Sequence, residues 1–195
     1  MTTIVAFKVM NDDEQITVLA ADQRSSVNGS ILSNAINKII ETDNAYIGVS
    51  GSQTSLHALT YILQTHVCNF NSVADVYESM TCIMTKLVEN HHLLSKSDDD
   101  YMYIALPFNC IIACKLTGRI FHVCSGREVS ELNVTSSGSG SEYALGALTM
   151  LPLSNVNNLE DYLNRLFCVV SEYDTDTSEK FTYATVTIGD NNAQD

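Results

Sequence analysis

Apolar and β-branched residues alternate along Thr3 to Val9, which predicts a strand. Met10 to Gln15 reads as a polar turn, and Ile16 to Ala21 as a second strand that closes a hairpin with the first. Val27-Asn28-Gly29-Ser30 is a turn signal. Lys38 to Glu41 and Ala45 to Val49 form another strand pair around Thr42-Asp43-Asn44. From Ser52 the period changes. Leu56, Leu59, Ile62, Leu63 and Val67 recur at helical spacing, which predicts a helix over Ser52–Phe70. A second helix is predicted over Ser72–Leu94, with Val73, Val76, Met80, Ile83, Met84, Leu87 and Val88 as its apolar positions. Ser72, with Asp75 three residues on, suits its N-cap.

Beyond Asp98-Asp99-Asp100, read as a solvated turn, Tyr101 to Leu106, Cys110 to Lys115 and Arg119 to Cys124 read as strands. Val129 to Thr135 reads as a fourth. Glu142 to Leu151 and Leu159 to Tyr173 return to helical spacing, Phe181 to Ile188 alternates as a last strand, and Asn191 to Asp195 is a polar, fraying tail. The order is strands, two helices, strands, two helices, strand. With no βαβ alternation, a doubly wound parallel sheet is not expected. Two antiparallel sheets packed together with helix pairs outside fit the pattern, an α+β sandwich. No linker or repeat interrupts it, so residues 1–195 are expected to form one domain.

Composition narrows the function classes. The chain is 45% hydrophobic and 17% charged, which suits a globular protein. It lacks the roughly 18 consecutive apolar residues of a membrane-spanning helix. It also lacks a basic segment leading into an apolar core, so no signal peptide is expected. A net charge of −13 argues against nucleic acid or an anionic membrane as the main partner. Six cysteines without a C-x-x-C pair, most within apolar runs, suit buried thiols in a cytoplasmic protein. Five histidines show no metal-ligand spacing, and neither a metal nor a cofactor is expected.

The candidate chemistry lies at the start of the chain. A threonine directly behind the initiator Met becomes the N-terminus once Met1 is removed, and Thr2 then carries a hydroxyl and a free α-amine together. The amine can take the hydroxyl's proton, directly or through water. A buried lysine nearby would stabilise the alkoxide, and like-charge repulsion would lower both amine pKa values. That lysine then needs an anion. Lys38 and Asp22 suit these parts, because their flanks (Ile39-Ile40 and Val18 to Ala21) are apolar rather than those of exposed strand ends.

Thr2-Thr3-Ile4-Val5, Ala21-Asp22-Gln23-Arg24-Ser25-Ser26 with Gly29, and Asn37-Lys38-Ile39 resemble proteasome β-subunits and the bacterial peptidase HslV. The spacing from Asp22 to Lys38 matches that family. Gly48-Val49-Ser50-Gly51-Ser52 is similar to its strand end and glycine turn, and Gly138-Ser139-Gly140-Ser141-Glu142-Tyr143-Ala144 to the segment opening its third helix. The resemblance covers most of the chain and is weak between residues 65 and 130. It implies a four-layer αββα N-terminal-nucleophile hydrolase fold and a threonine peptidase. Thr2 would be the nucleophile, Lys38 would lower its pKa, and Asp22 would orient Lys38. The Gly48 N–H would form the oxyanion hole, and Ser139 would hydrogen-bond near the Thr2 amine. Asp174 and Thr177 would support the site. Ser26 would lie where an extended substrate pairs, and Ile36, Ile40 and Tyr46 would line the specificity pocket.

The first hairpin is longer than in HslV, through Asn11-Asp12-Asp13-Glu14, and the turn between Lys38 and Gly48 is shorter than in either relative. The Asp174 segment lacks the glycines that usually follow, and no propeptide is expected before Thr2. The resemblance implies like subunits in a ring, protein or peptide substrates and an ATP-dependent unfoldase as a further partner. Apolar residues of the first two helices are expected to supply ring contacts. Two other functions fit the same fold: a structural subunit without catalysis, and an amidohydrolase of a small amide. A serine hydrolase on Ser50 or Ser139 with His57 is disfavoured, since neither serine sits in a full G-x-S-x-G.

Overall fold

The structure, a computed structural model, describes residues 2–11, 14–27, 30–91, 105–150, 156 and 158–188. The first hairpin is longer than its sequence pattern suggests: β1 (Thr3–Asn11) and β2 (Glu14–Asp22) pair in register into the segment read as a turn. Two short strands follow, β3 (Ser25–Val27) and β4 (Ser30–Ser33), paired with each other. The next pair is β5 (Ile39–Glu41) and β6 (Ala45–Gly51), and the helix pair α1 (Gln53–Thr65) and α2 (Val73–His91) follows. The chain continues through β7 (Phe108–Cys114), β8 (Ile120–Val123), β9 (Val129–Leu132) and β10 (Val134–Gly138). Helices α3 (Ser141–Met150) and α4 (Leu159–Tyr173) and strand β11 (Phe181–Ile188) complete it.

Burial arranges these elements into four layers. One antiparallel sheet has the order β10-β1-β2-β11, the other β5-β6-β7-β8-β9. Each strand of the first hairpin is buried on both faces, and strict alternation decides which side chain goes where. Val5, Phe7, Val9, Val18 and Ala20 meet Leu163, Leu166, Phe167 and Val170 of α4. Ile4, Ala6, Leu19 and Ala21 face the other sheet, against Ile111, Ala113 and Ile120. The outer face of the five-stranded sheet takes Leu59, Ile62, Val76, Met80, Ile83 and Leu87 from α1 and α2. The αββα sandwich is therefore the arrangement that buries every apolar stripe.

Several expected boundaries move. Helix α1 stops at Thr65, with His66 already extended, and Val67 is 95% exposed instead of on the buried stripe. Competing hydrogen bonds hold the next residues off the helix: Asn44 Nδ2 donates to the Cys68 carbonyl (2.7 Å), and Ser79 Oγ bonds both Asn69 N–H and C=O. Val129 to Thr135 is two strands in different sheets, divided at Asn133, whose carbonyl accepts the Lys8 N–H. Leu132 and Val134 alternate across Asn133, so the pattern at the break hides the change of sheet. Residues 101–104 of the strand expected over Tyr101–Leu106 lie outside the described residues, as do Asp98–Asp100, residues 28–29 of the turn signal and the tail. Ser72 caps α2 as expected, accepting from Asp75 N–H.

The two sheets come close over Gly48. A Cβ there would stand 2.7 Å from Ile4 Cγ2 and 3.4 Å from Leu19 Cδ1, so the residue is a packing glycine between the sheets. Gly126, in a turn, has nothing within 4 Å of such an atom. Gly48→Ala is expected to lower the unfolding free energy by about 1–3 kcal/mol through overpacking, while Gly126→Ala stays within about 0.5 kcal/mol of wild type. Urea unfolding of both variants checks this, and equal midpoints would refute the close approach.

Candidate active site

Thr2 opens β1 and is 3% exposed. The edge that holds it requires glycine: Gly138 pairs with Thr3, has φ +102°, and a Cβ on it would fall 1.8 Å from the Thr2 carbonyl oxygen. On the other side, β2 delivers Asp22 to the end of the hairpin. Its carboxylate is fully buried and accepts four hydrogen bonds. Oδ1 takes Thr3 N–H (2.8 Å) and Lys38 Nζ (2.7 Å); Oδ2 takes Arg24 N–H (2.8 Å) and Ser178 N–H (3.3 Å). Lys38 enters from the other sheet, just before β5, with its carbonyl fixed by Val49 N–H (3.0 Å). It is 5% exposed. Burial holds its ammonium below the ordinary lysine range, and the Asp22 carboxylate pulls the other way.

A second carboxylate supports the first turn of the site. Asp174 is the C-cap of α4, an element anchored by Leu163, Leu166, Phe167 and Val170. Its Oδ2 accepts from Ser139 Oγ (2.7 Å) and Thr177 Oγ1 (2.6 Å), and its Oδ1 from Asp176 N–H (3.1 Å). Thr177 Oγ1 in turn bonds Thr3 Oγ1, and Ser139 Oγ lies 3.5 Å from the Thr2 carbonyl. The missing glycines after Asp174 therefore do not prevent this contact. The close approach is made possible by Gly140, whose Cβ would meet Thr3 Oγ1 at 2.2 Å and Asp174 Oδ2 at 3.0 Å.

Thr2, Lys38, Arg24, Ser26 and Ile36 line one cleft of about 380 Å³ with Val49, Gly51, Ser52, Gln53, Thr54 and Leu56. Three expected site residues lie elsewhere. Ile40 is buried in the core under α1 and α2, and Tyr46 packs with Ile39 at the inter-sheet cluster, with Lys115 Nζ 4.4 Å from its ring centre. Gly48 does not line the cleft. Successive strand amides point to opposite edges. Val49 N–H points to β5, so Gly48 N–H points to β7, where Ile111 is its register partner. Gly51 shares the edge of Val49, lies beyond the start of β5 and lines the cleft. The sequence signal was present: Gly51 stands just before Ser52, the N-cap of α1, as a glycine at the strand end should. Ser26 lines the cleft as expected, and its hydroxyl donates to Asp176 Oδ1.

The arrangement places a hydroxyl in a cleft with a buried lysine whose charge is favourable for an alkoxide and whose position is set by a carboxylate. A family model described as "Proteasome subunit" matches residues 2–186. The chain belongs to the proteasome subunit family. Solved structures agree on the fold. BPH of Thiobacillus denitrificans is 21% identical, with a TM-score of 0.78 over 97% of this chain and 100% of that one. The same protein in complex with epoxomicin is 20% identical, with a TM-score of 0.77 over 96% of this chain and 99% of that one. HslV of Trypanosoma brucei is 15% identical, with a TM-score of 0.68 over 95% and 99%. Among curated proteins no sequence matches.

In this proteasome-type fold the buried pair joins the sheets, and its loss has a defined sign. Asp22→Asn would turn an amide N–H₂ toward donors and leave the Lys38 ammonium buried without an anion. Removing one member of such a pair costs about 3–5 kcal/mol. Asp22→Asn is therefore expected to lower the unfolding free energy by that order, and Asp22→Asn with Lys38→Met to recover part of it. A loss under about 1 kcal/mol in the single variant, measured by urea unfolding, would refute the pair as a structural element.

Proposed function

We propose that the chain is a threonine-type peptidase subunit that cleaves peptide bonds of unfolded proteins through an acyl-enzyme on Thr2. The observation that carries this reading is Thr2 in one cleft with Lys38, whose Nζ is bonded to buried Asp22. After removal of Met1, the free Thr2 amine accepts the hydroxyl proton while the Lys38 charge stabilises the developing alkoxide. Thr2 Oγ1 adds to the scissile carbonyl. The oxyanion meets the Gly51 N–H, which takes the place first assigned to Gly48; one such donor is worth about 3–4 kcal/mol of barrier. Collapse expels the amine product, protonated by the Thr2 ammonium, and water then releases the acyl group. The extended substrate lies along Ser26 on β3, with a side chain toward Ile36. Ser139, Asp174 and Thr177 hold the first turn of β1 against this traffic.

The epoxomicin complex of the T. denitrificans relative suggests a direct probe. Intact mass after incubation with epoxomicin is expected to give a chain lacking Met1 plus one inhibitor, with peptide hydrolysis abolished. Thr2→Ala should remain folded, take no inhibitor and cleave no peptide. Active enzyme that retains Met1, or hydrolysis that survives Thr2→Ala, would overturn the assignment.

A free peptidase would endanger its surroundings, so we place the subunit in a ring of like copies in the cytoplasm, fed by an ATP-dependent unfoldase. The apolar positions of α1 and α2 are largely consumed in covering the five-stranded sheet, and they supply less surplus than their sequence suggests. The supporting feature is α3, where Ala144 and Leu148 point inward while the large apolar side chains of Tyr143, Leu145 and Met150 are exposed. Exposed apolar side chains grouped on one helix mark a surface suited to a protein partner. Sedimentation of the active protein is expected to give many times the 21.4 kDa of one chain, and a fully active monomer would refute the ring.

A further inference from the structure

We propose that the Ser50–Ser137 hydrogen bond positions the Gly51 amide against Thr2, making both serines positioning residues for the threonine-peptidase reading on which this inference rests. The two hydroxyls meet at 2.8 Å, at 6% and 4% exposure, and they belong to different sheets. Ser50 precedes Gly51 in β6, so its carbonyl and the Gly51 N–H share one rigid peptide plane. Ser137 is the β10 register partner of Ile4, one pair from Thr3–Gly138, at the edge that holds Thr2. The bond thus joins the β10 residue paired with Ile4, two positions from the nucleophile, to the immediate neighbour of the oxyanion donor. Ser50 Oγ also lies 3.5 Å from the carbonyl of Asn109, its partner in β7. One arrangement satisfies every group: Ser137 donates to Ser50, and Ser50 donates to that carbonyl.

The position of the bond gives it a role that packing cannot fill. Around it the sheets meet through Ile4, Ala6, Leu19, Ile111 and Ala113, contacts that resist separation but set no direction. A hydrogen bond is directional and weakens steeply when its geometry shifts. The Lys38–Asp22 pair fixes the β2 and β5 side of the cleft, and Ser50–Ser137 fixes the β10 and β6 side. Other bonds also cross between the layers, among them Thr135 Oγ1 with His122 Nδ1 (2.9 Å) and Thr17 Oγ1 to the Gly118 carbonyl (2.6 Å). Thr17 lies five positions along β2 from Asp22, away from the cleft, and serves as the control.

The test reads rate and stability together in the assembled protein. Intact mass over time with epoxomicin gives the maximal modification rate and the half-saturating concentration. Ser50→Ala and Ser137→Ala are expected to lower the maximal rate by about tenfold or more, since small misplacements at a reacting centre are costly, with half-saturation within about twofold of wild type. The double variant leaves no buried hydroxyl without its partner and should recover most of the unfolding midpoint. Its rate should stay low. Ser137→Thr keeps the hydroxyl and should restore the rate. Thr17→Val should lower the midpoint and leave the rate unchanged. A double variant that recovers rate together with midpoint, or single variants that react as wild type does, would overturn the positioning role alone. Wild type that takes no epoxomicin and hydrolyses no peptide would overturn the threonine-peptidase reading, and this inference with it.

Discussion

One buried ion pair sets the terms for the rest of the molecule. Asp22 ends a strand of the four-stranded sheet and Lys38 leads into the five-stranded one, so the contact is made only when the sheets face each other in one register. Taking both charges out of water costs several kcal/mol per ion, and their attraction alone does not reliably repay it. What offsets the cost is the full satisfaction of the carboxylate by three backbone amides and the ammonium. Those amides belong to Thr3, Arg24 and Ser178, three segments distant in sequence. The pair therefore gathers β1, the entry to β3 and the turn before β11 around one point, and Thr2 is carried there as the neighbour of Thr3.

The same constraint serves the proposed chemistry. Desolvation lowers the Lys38 pKa, while Asp22 pulls toward the charged form. In the proposed mechanism, a lysine held under that tension would offer positive charge to an alkoxide without being free to wander. Around it, the site is kept small by omission of side chains as much as by their presence. Gly138 admits the Thr2 carbonyl, Gly140 admits Thr3 and Asp174, and Gly48 admits Ile4 between the sheets. Each glycine lets backbone or core approach to a distance that any Cβ would forbid. Arg24 adds a tie at the cleft's rim, with Nη1 donating to the Thr175 carbonyl and Nε to Asn34.

Much of this was legible in the sequence because periodicity reports burial. The hairpin, the helix at Leu159–Tyr173 and the strand at Phe181–Ile188 stand where alternation and helical spacing put them. Asp22 and Lys38 stood out because charges flanked by apolar residues must find a partner or leave the core. The misplacements share a cause: period alone does not say which edge or which sheet a residue faces. Gly48 and Gly51 sit three positions apart on one strand, so their amides leave by opposite edges. Only the pairing of Val49 with Lys38 decides which one meets the cleft. Ile40 and Tyr46 are expected in the pocket from the resemblance alone, yet they pack with the outer core and with the inter-sheet cluster. Asn133 is invisible as a break because Leu132 and Val134 alternate across it.

The distance between sequence and fold in this family follows from how the constraints are distributed. A relative with 21% identity superposes with a TM-score of 0.78. Most buried positions demand only an apolar side chain of suitable volume, and cores accept such exchanges at modest cost. The positions that admit no exchange are few and local. They are a glycine at φ +102° against the Thr2 carbonyl, a carboxylate with four donors around it, and a lysine that must reach that carboxylate from another sheet. The fold supplies the register that brings these together, and the register is held by directional bonds at a handful of crossings between the sheets. Exchanges on the helices do not touch the groups of those crossings, whereas one lost hydroxyl at Ser50 or Ser137 removes the crossing beside the Gly51 peptide.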